Sequence, residues 1–171
     1  GFAHLATFGL TFEAWCYHTQ LHEVIHLARQ FPETLIVLDH LGGPLGVGPY
    51  SDQATAVFLE WDRAMTELAA CDNVVTKLGG LAMEVNGFNW HRLPAPPTSD
   101  DLLKGCAHYC ERTIELFGVD RCLFESNFPV DKVSCGYNTL WNAFKKLTKD
   151  YSASDKAKLF HDNAQRIYRI A

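Results

Sequence analysis

Short apolar runs alternate along the chain with longer segments in which apolar residues recur every three or four positions. The runs are LTFEAWC (residues 10–16), LIVL (35–38), NVVTKLGG (73–80) and the start of RCLFESNFPVD (121–131). Continuous apolar and β-branched stretches of this length are typical of strands that are covered on both faces, as in a parallel sheet. The pattern therefore predicts four short, buried strands.

Two helices are predicted between the first three strands. The first follows residue 18 and stops at Pro32. Its apolar face consists of Leu21, Val24, Ile25 and Ala28. The second has a longer apolar stripe, which consists of Ala54, Val57, Phe58, Trp61, Met65 and Leu68. Ser51 is the expected N-cap of this second helix.

Three further helices are predicted in the second half of the chain. They cover residues 100–117, 139–147 and 155–170. Thr98 or Ser99 can cap the first of them, and Gly118 suits its C-terminal end. Ser152 and Asp155 occupy capping-box positions at the start of the last one, with Asp in place of the usual Glu.

Strand and helix thus alternate four times, and a last helix follows. This order is typical of an α/β fold with a parallel sheet and right-handed crossovers. The pattern alone leaves two architectures open, a small open sheet and half of an eight-stranded barrel. A closed barrel needs about 200–250 residues, and the chain has 171. No linker or repeat interrupts it, so we interpret residues 1–171 as a single domain.

Composition excludes several classes of protein. Apolar residues make up 47% of the chain, which is enough for one core, and the net charge is -5 with a pI of 5.9. Because there is no basic excess, nucleic acid and anionic membranes are not expected partners. No apolar stretch approaches the roughly 20 residues of a membrane span, and residues 1–14 lack the basic leader of a signal peptide. Six cysteines without a C-x-x-C motif indicate reduced thiols in a cytoplasmic protein.

His40 is the first candidate for chemistry, because it follows a buried strand and precedes two glycines. Functional side chains in parallel sheets gather at the carboxyl ends of the strands. A neutral imidazole there can bind a metal or transfer a proton. The alternative is a core histidine that is hydrogen-bonded to backbone. Asp39 either orients the histidine or accepts backbone N–H groups, and we favour the second role.

Carboxylates also follow the fourth strand and occur in the first. Glu125, Asn127 and Asp131 lie near the expected sheet edge, where they activate water or bind a cation, or where Asn127 simply caps a turn. In the first strand, alternation places Glu13 and Tyr17 on one side. If that side is a barrel interior, Glu13 is a buried acid and therefore a site candidate.

Other polar and aromatic residues have two readings each. His18 either lines a site or caps a helix start, and Lys77, inside a strand, either binds a carboxylate substrate or extends its stem to the surface, which we favour. Trp90 and His91 lie on the long loop of residues 84–99, which is typical of a lid, although Trp90 can equally cover the edge of the core. The pair at positions 22 and 26 has metal-binding spacing, but an exposed pair of histidines is favoured.

Four stretches in order resemble one family. VLDHLGGP, NVVTKLGGLAM, RCLFESNFPVDK and FHDNAQRIYRI are similar to segments of the amidohydrolase-related family of TIM-barrel hydrolases, in the branch of sugar-lactone hydrolases and dicarboxylate lactonases. The resemblance implies that the chain is the C-terminal part, about four βα units, of a (β/α)8 barrel. It also implies water attack on a lactone or cyclic ester. The His-x-His motif that binds metal in many members is absent from this sequence.

The resemblance assigns roles to residues. His40 matches a strand-end histidine that binds a divalent metal such as zinc, where one is used, or polarises the substrate. Asn127 stands where many members have an aspartate general base. Since an amide cannot take up a proton, Asp131 or Glu125 has to substitute for that base, or Asn127 positions water. The expected catalytic residues are therefore His40, Asn127 and Asp131.

The substrate-binding residues that we expect are Glu13, Tyr17, His18, Lys77, Trp90 and His91. The expected ligand is a small-molecule carboxylate or a sugar-derived lactone. Two alternatives stay open: a non-catalytic half-barrel that pairs with another copy or a partner, and a decarboxylase or hydratase. We expect the 171-residue chain alone to have little hydrolase activity, and we expect Tyr17, His40 and Asn127 to line one cleft.

Overall fold

A computed structural model describes residues 1–170 of the chain. Its centre is a four-stranded sheet in which all strands are parallel and lie in the order β1-β2-β3-β4. The strands are β1 (Phe12–Ala14), β2 (Ile36–Leu38), β3 (Val74–Leu78) and β4 (Cys122–Phe124). The register pairs Ala14 with Leu38, Leu38 with Thr76, and Leu78 with Phe124. The four predicted strands and their parallel arrangement are therefore confirmed.

Helices connect the strands and complete the chain. They are α1 (His4–Thr7), α2 (Leu21–Gln30), α3 (Ala54–Ala69), α4 (Ser99–Phe117), α5 (Tyr137–Leu147), α6 (Ala153–Ala157) and α7 (Asn163–Tyr168). A π-helical segment, Lys158–Asp162, joins α6 to α7, so the predicted helix of residues 155–170 is one helical stretch with a wider turn in its middle. Short 3₁₀ turns occupy the loops that follow the strands.

The two faces of the strands bury different residues. On the outer face, Ile36, Leu38 and Leu78 pack against the apolar sides of the helices, in a cluster that includes the fully buried Trp61 of α3. On the inner face, the alternate positions form a second, smaller cluster. It consists of Val37, Val75, Leu123 and Ile167. The strands β2 and β4 are therefore apolar at successive positions, whereas β1 and β3 each contain one charged residue, Glu13 and Lys77.

Three local expectations were tested by the helix ends. Thr98 caps α4 and exchanges hydrogen bonds with Asp101, as predicted. Ser152 accepts the backbone N–H of Asp155 at the start of α6, also as predicted. Ser51 is not the cap of α3, because the helix begins at Ala54 after Gln53, and Gln53 makes no side-chain capping bond.

The first strand is shorter than the sequence indicates. Residues 10–16 are apolar enough for a strand, but only Phe12–Ala14 pair with β2.

All six cysteines lie in the described residues 1–170, and each is a free thiol. Within the same residues, no helix combines the length and apolar character required to cross a bilayer.

Candidate active site

A charged layer lies above the inner apolar cluster, at the carboxyl ends of the strands. Side chains two positions apart on a strand share a face, so Lys77 follows Val75 and Glu125 follows Leu123 on this side of the sheet. We name this layer the strand-end cluster, and it consists of Glu13, Asp39, His40, Lys77 and Glu125.

Lys77 is the centre of the strand-end cluster. Its Nζ lies 2.6 Å from Glu13 Oε2 and 2.8 Å from Asp39 Oδ1. Glu125 Oε2 is a third carboxylate oxygen, at 3.9 Å. Burial opposes the charged form, but the hydrogen bonds to Asp39 and Glu13 outweigh it and raise the pKa of Lys77 above its usual value. Lys77 is therefore a fixed cation whose carboxylate partners belong to the chain itself.

Two sequence-based expectations about this cluster are wrong. The stem of Lys77 does not extend to the surface, because the side chain is only 18% exposed and its ammonium group stays among carboxylates. Asp39 does not use its carboxylate to accept backbone N–H groups, because that carboxylate faces Lys77. A lysine is accommodated in β3 because acids from β1, from the end of β2 and from the end of β4 surround its ammonium group.

His40 is paired with Glu125. The ring nitrogen Nδ1 lies 2.5 Å from Glu125 Oε1, and the backbone N–H of His40 donates to the same oxygen at 3.3 Å. Burial disfavours the imidazolium form, but the hydrogen bond and charge of Glu125 outweigh burial, so the pKa of His40 is raised. An ionised Glu125 accepts from Nδ1–H, which fixes the tautomer and leaves the lone pair of a neutral ring on Nε2.

Glycines after β3 make room for this pair. A Cβ on Gly80 would lie 2.5 Å from His40 Cγ, and a Cβ on Gly79 would lie 2.6 Å from Glu125 Cγ. His40 itself has a φ of 54°, in the left-handed region that few non-glycine residues adopt. The sequence Gly79-Gly80 therefore lets the backbone of one loop contact both members of the pair.

Asn127 and Asp131 form a second polar pair in the loop after β4. Asn127 Nδ2 donates to Asp131 Oδ1 at 2.9 Å. Asp131 is fully buried, and its Oδ2 accepts the backbone N–H of Ala82 at 3.4 Å. Burial raises the pKa of Asp131 to about 6, although both hydrogen bonds oppose that rise. The buried carboxyl therefore holds a proton more readily than an exposed one, whereas the amide of Asn127 has no proton to exchange at neutral pH.

Tyr17 lies beside the site through an aromatic neighbour. The ring of Trp15 contacts the His40 imidazole edge-on at 4.7 Å between centroids, and Tyr17 contacts Trp15 in the same manner at 5.6 Å. Tyr17 is 36% exposed. A common cleft for Tyr17, His40 and Asn127 stays a prediction.

His18 is not part of the strand-end cluster. Its ring is buried, Nδ1 accepts the backbone N–H of Leu45 at 3.3 Å, and Nε2 lies 3.9 Å from Glu60. Burial lowers the pKa of His18. The ring packs edge-on against Tyr50. These contacts hold the glycine-rich loop that follows His40, and they give no support to direct substrate binding by His18.

The long loop after β3 does not bring its aromatic residues to the cluster. Trp90 is 9% exposed, stacks on Phe88 at 4.4 Å and packs over Gly105, so it covers the edge of the core. His91 contacts its own loop, with Arg92 Nε 3.1 Å from its Nε2 and Glu84 at 3.9 Å. The geometry therefore does not support lid or substrate contacts for this pair. The histidines at positions 22 and 26 form an exposed pair on α2, as favoured.

Tyr168 is a member of the site region that the sequence analysis missed. Its hydroxyl donates to Glu13 Oε1 at 2.9 Å, and its ring lies 5.6 Å from Lys77 Nζ. The residue comes from α7, and 155 positions separate it from Glu13. Since no local pattern marks such a contact, only the tertiary structure identifies it.

The described residues do not make a metal site by themselves. Among residues 1–170, no three His, Cys, Asp or Glu side chains are grouped so that they can hold a metal ion. Nδ1 of His40 is already engaged by Glu125, which leaves one ring nitrogen as a donor. A zinc ion needs three or four protein ligands. The side chains of residues 1–170 alone therefore do not fit a zinc ion.

A family model described as amidohydrolase matches residues 1–170. The chain belongs to the amidohydrolase family. Among curated relatives, it is 41% identical to the uncharacterized protein y4mH of Sinorhizobium fredii over 99% of this chain and 50% of that protein. It is 27% identical to L-fucono-1,5-lactonase of Burkholderia multivorans, over 99% of this chain and 55% of that enzyme. The chain thus spans about half the length of these curated relatives.

A solved amidohydrolase structure confirms the fold class. The crystal structure of an amidohydrolase from Burkholderia multivorans with bound zinc superposes with a TM-score of 0.83 and 26% identity. The match covers 99% of this chain and 56% of that one. The four parallel strands are therefore about half of a (β/α)8 barrel, and the strand-end cluster lies at the end of the barrel where amidohydrolase-fold enzymes carry their chemistry.

Proposed function

We propose that the protein is a hydrolase that activates water for attack on the ring carbonyl of a lactone or other cyclic ester. The His40–Glu125 pair at the strand ends carries this proposal, because a carboxylate-oriented imidazole is suited to general base catalysis. Membership of the amidohydrolase family and the relatives named as lactonases support the same reaction class.

The proposed reaction begins with proton transfer from water to His40 Nε2. As the water oxygen bonds to the carbonyl carbon, Glu125 stabilises the imidazolium that forms. The tetrahedral intermediate then breaks its bond to the ring oxygen. His40 returns the proton to that oxygen, so the product is an open-chain hydroxy acid and the imidazole is neutral again. Because Glu125 raises the pKa of His40, the neutral ring is a stronger base than a free imidazole.

The strand-end cluster favours a neutral, hydroxyl-rich lactone over a substrate that carries a carboxylate. The ammonium group of Lys77 is already paired with the carboxylates of Glu13 and Asp39. With Lys77 and an imidazolium at His40, the three carboxylates still leave one negative charge. Carboxylate oxygens accept hydrogen bonds from sugar hydroxyls, whereas they repel a substrate carboxylate. Within the expected ligands, we therefore propose a sugar-derived lactone.

The open edges of the sheet favour a second candidate. Within residues 1–170, β1 and β4 each pair with a strand on one side only. Unpaired edges favour association with further strands. A non-catalytic half-barrel that pairs with a second copy is the alternative that this observation supports, and sedimentation analysis of the 171-residue chain tests it.

The six free thiols support our proposal of a cytoplasmic location.

An assay of ring opening tests the hydrolase proposal. The natural protein that contains this chain is incubated with neutral sugar lactones, such as L-fucono-1,5-lactone, and with lactones that carry a carboxylate. Acid release is followed in weakly buffered solution, with the spontaneous rate subtracted. We expect turnover of neutral lactones that is lost in H40A and retained in H161A, because His161 is an exposed residue of the π-helical segment. Equal activity of wild type and H40A contradicts the proposal.

A further inference from the structure

The loop after β4 is closed by two hydrogen bonds that run in opposite directions. Asn127 Nδ2 donates to Asp131 Oδ1 at 2.9 Å, and the backbone N–H of Asp131 donates to the carbonyl of Asn127 at 3.1 Å. Asn127 has a φ of 51°, which lies in the left-handed region that few non-glycine residues adopt. Both the backbone carbonyl and the side-chain amide of Asn127 are thus bonded to Asp131.

The carboxylate of Asp131 is itself fixed from the neighbouring loop. It is fully buried, and Oδ2 accepts the N–H of Ala82. The carbonyl of Ala82 accepts the hydroxyl of Ser134 at 2.6 Å. The N–H and the carbonyl of Ala82 are therefore both bonded to the turn that contains Asp131. A carboxylate with these bonds on both oxygens cannot rotate without losing at least one of them.

We propose that Asp131 is a positioning residue that holds the Asn127 amide with its oxygen toward the reacting water. The inference rests on the proposed function. An amide is planar, so a bond from Nδ2 to Asp131 turns Oδ1 to the opposite side. Asn127 then presents an acceptor two residues after Glu125, in the same loop as the partner of His40.

In this arrangement, different residues orient the reacting water and remove its proton, two tasks that a single carboxylate can perform. Water that donates one hydrogen to Asn127 Oδ1 and the other to His40 Nε2 directs a lone pair at the carbonyl carbon. Asp131 has no exposed surface, so it does not contact that water. Its carboxylate does act on His40, whose pKa it raises. Asn127 therefore orients water and His40 removes the proton, while Asp131 holds the Asn127 amide without contacting the water itself.

Three variants of the natural protein test this inference, with a neutral sugar lactone as the probe. In D131N, an amide at 131 can donate to Asn127 Oδ1 and reverse its orientation. In N127D, two carboxylates face each other in a buried turn. In the double variant N127D/D131N, the amide at 131 donates to the carboxylate at 127, so an acceptor again faces the water. D150N is the matched control, because Asp150 is 86% exposed.

We expect each single variant to lower kcat by about 10- to 100-fold, the cost of a misplaced catalytic contact, with little change in KM. The double variant should recover most of that loss, and D150N should resemble wild type. D131N should keep an acid limb in the pH profile, because His40 remains the base, but this limb should move to lower pH because the Asp131 charge no longer raises the pKa of His40. In an NMR spectrum, the side-chain NH₂ of Asn127 should shift in D131N.

Other results overturn the inference. If Asp131 is the base, D131N abolishes the acid limb instead of lowering the plateau. If the pair is only structural, the double variant recovers the free energy of unfolding but not kcat. Loss of the proposed function is recognised separately, because H40A then leaves turnover unchanged whatever the variants at 127 and 131 do.

Discussion

His40 Nδ1 and Glu125 Oε1 lie 2.5 Å apart, although 85 positions separate the two residues in the sequence. The contact joins the loop after β2 to the end of β4 and passes over β3, whose Gly79-Gly80 segment leaves the space. Neither residue is informative alone, since a strand-end histidine is often structural. Their contact converts a histidine at a sheet edge into an oriented imidazole with one ring nitrogen left for chemistry.

The variant E125Q tests what the carboxylate does to His40. Without its charge, burial remains the main influence on the ring, so we expect the pKa of His40 to fall below that of wild type. A titration by ¹H–¹³C NMR of the histidine ring signals measures this pKa. E111Q removes an exposed carboxylate on α4 and should leave the pKa of His40 unchanged. An unchanged or raised pKa in E125Q contradicts the assigned pairing.

The same pair affects stability in a defined pH range. Because the pKa of His40 is raised in the folded state, the pair contributes its full stabilisation below the unfolded pKa of about 6.5. The contribution is lost as the pH rises through the folded pKa. Urea unfolding should therefore show a stability difference between wild type and E125Q that shrinks above that pH. A difference that grows with pH is the opposite of the expected sign.

Gly80 offers a test of how closely the backbone supports the imidazole. In G80A, the new Cβ meets His40 Cγ at 2.5 Å and also sits at a φ of 71°. G48A is the matched control, because Gly48 has a φ of 59° but no atom within 4 Å of its Cβ. We expect G48A to lose about 1 kcal/mol of unfolding free energy from its backbone alone. G80A should lose on the order of 2–4 kcal/mol, because overpacking adds to that strain.

Activity separates the two glycine variants further. G80A should displace the His40 ring and reduce lactone turnover, whereas G48A should retain it. Equal losses of stability and activity in both variants show that the imidazole tolerates movement, and the support assigned to Gly80 is then wrong.

The sequence predicts the sheet well because the strand signal is local. Each of the four strands lies in a mostly apolar run, and the glycines that follow β2 and β3 mark where the chain leaves the sheet. The position of His40 at a strand end follows from the same pattern. The sequence narrows the cap of α4 to Thr98 or Ser99, because both lie directly before the apolar pattern of that helix. Strands, strand ends and helix caps can be predicted from the sequence because each depends on residues that are close together in the chain.

The pairings within the site are not local, and the sequence does not determine them. Lys77 contacts acids from β1 and from the end of β2, and Tyr168 reaches Glu13 from the end of the chain. Alternation gives the face of a residue but not the neighbour at the same height. His18 and Trp90 show the same limit from the other side, because a position near a strand end or on a loop does not reveal that the side chain is buried and packed against its neighbours.

Lys77 tests how strongly the cluster depends on one cation. K77M roughly keeps the length of the stem but leaves Asp39 without its cation, and it leaves Glu13 with only the hydroxyl of Tyr168. We expect a loss of about 2 kcal/mol in the free energy of unfolding, less than for a fully buried pair because Glu13 is part exposed. K146M removes an exposed pair with Asp100 and should change stability by about 0.5 kcal/mol or less. Similar losses in both variants indicate that the cluster is solvated like an ordinary surface.

His18 provides the last prediction, because its pH dependence has the opposite sign to that of His40. Burial lowers the pKa of His18, and the charge of Glu60 opposes this only in part. The folded state therefore resists a proton that the unfolded state accepts below about pH 6.5, so stability is lost as the pH falls. Protonation also removes the acceptor that Nδ1 offers to the backbone N–H of Leu45.

In H18Q, a neutral amide oxygen can accept the same N–H without titrating. We expect H18Q to be less stable than wild type at pH 7.5, because the ring contact with Tyr50 is lost, and we expect this difference to narrow toward pH 5. Urea unfolding at four pH values measures both free energies, and titrations common to the two proteins cancel in the difference. If the difference widens as the pH falls, His18 gains a proton in the folded state, and its assignment as a neutral support of the loop after His40 is wrong.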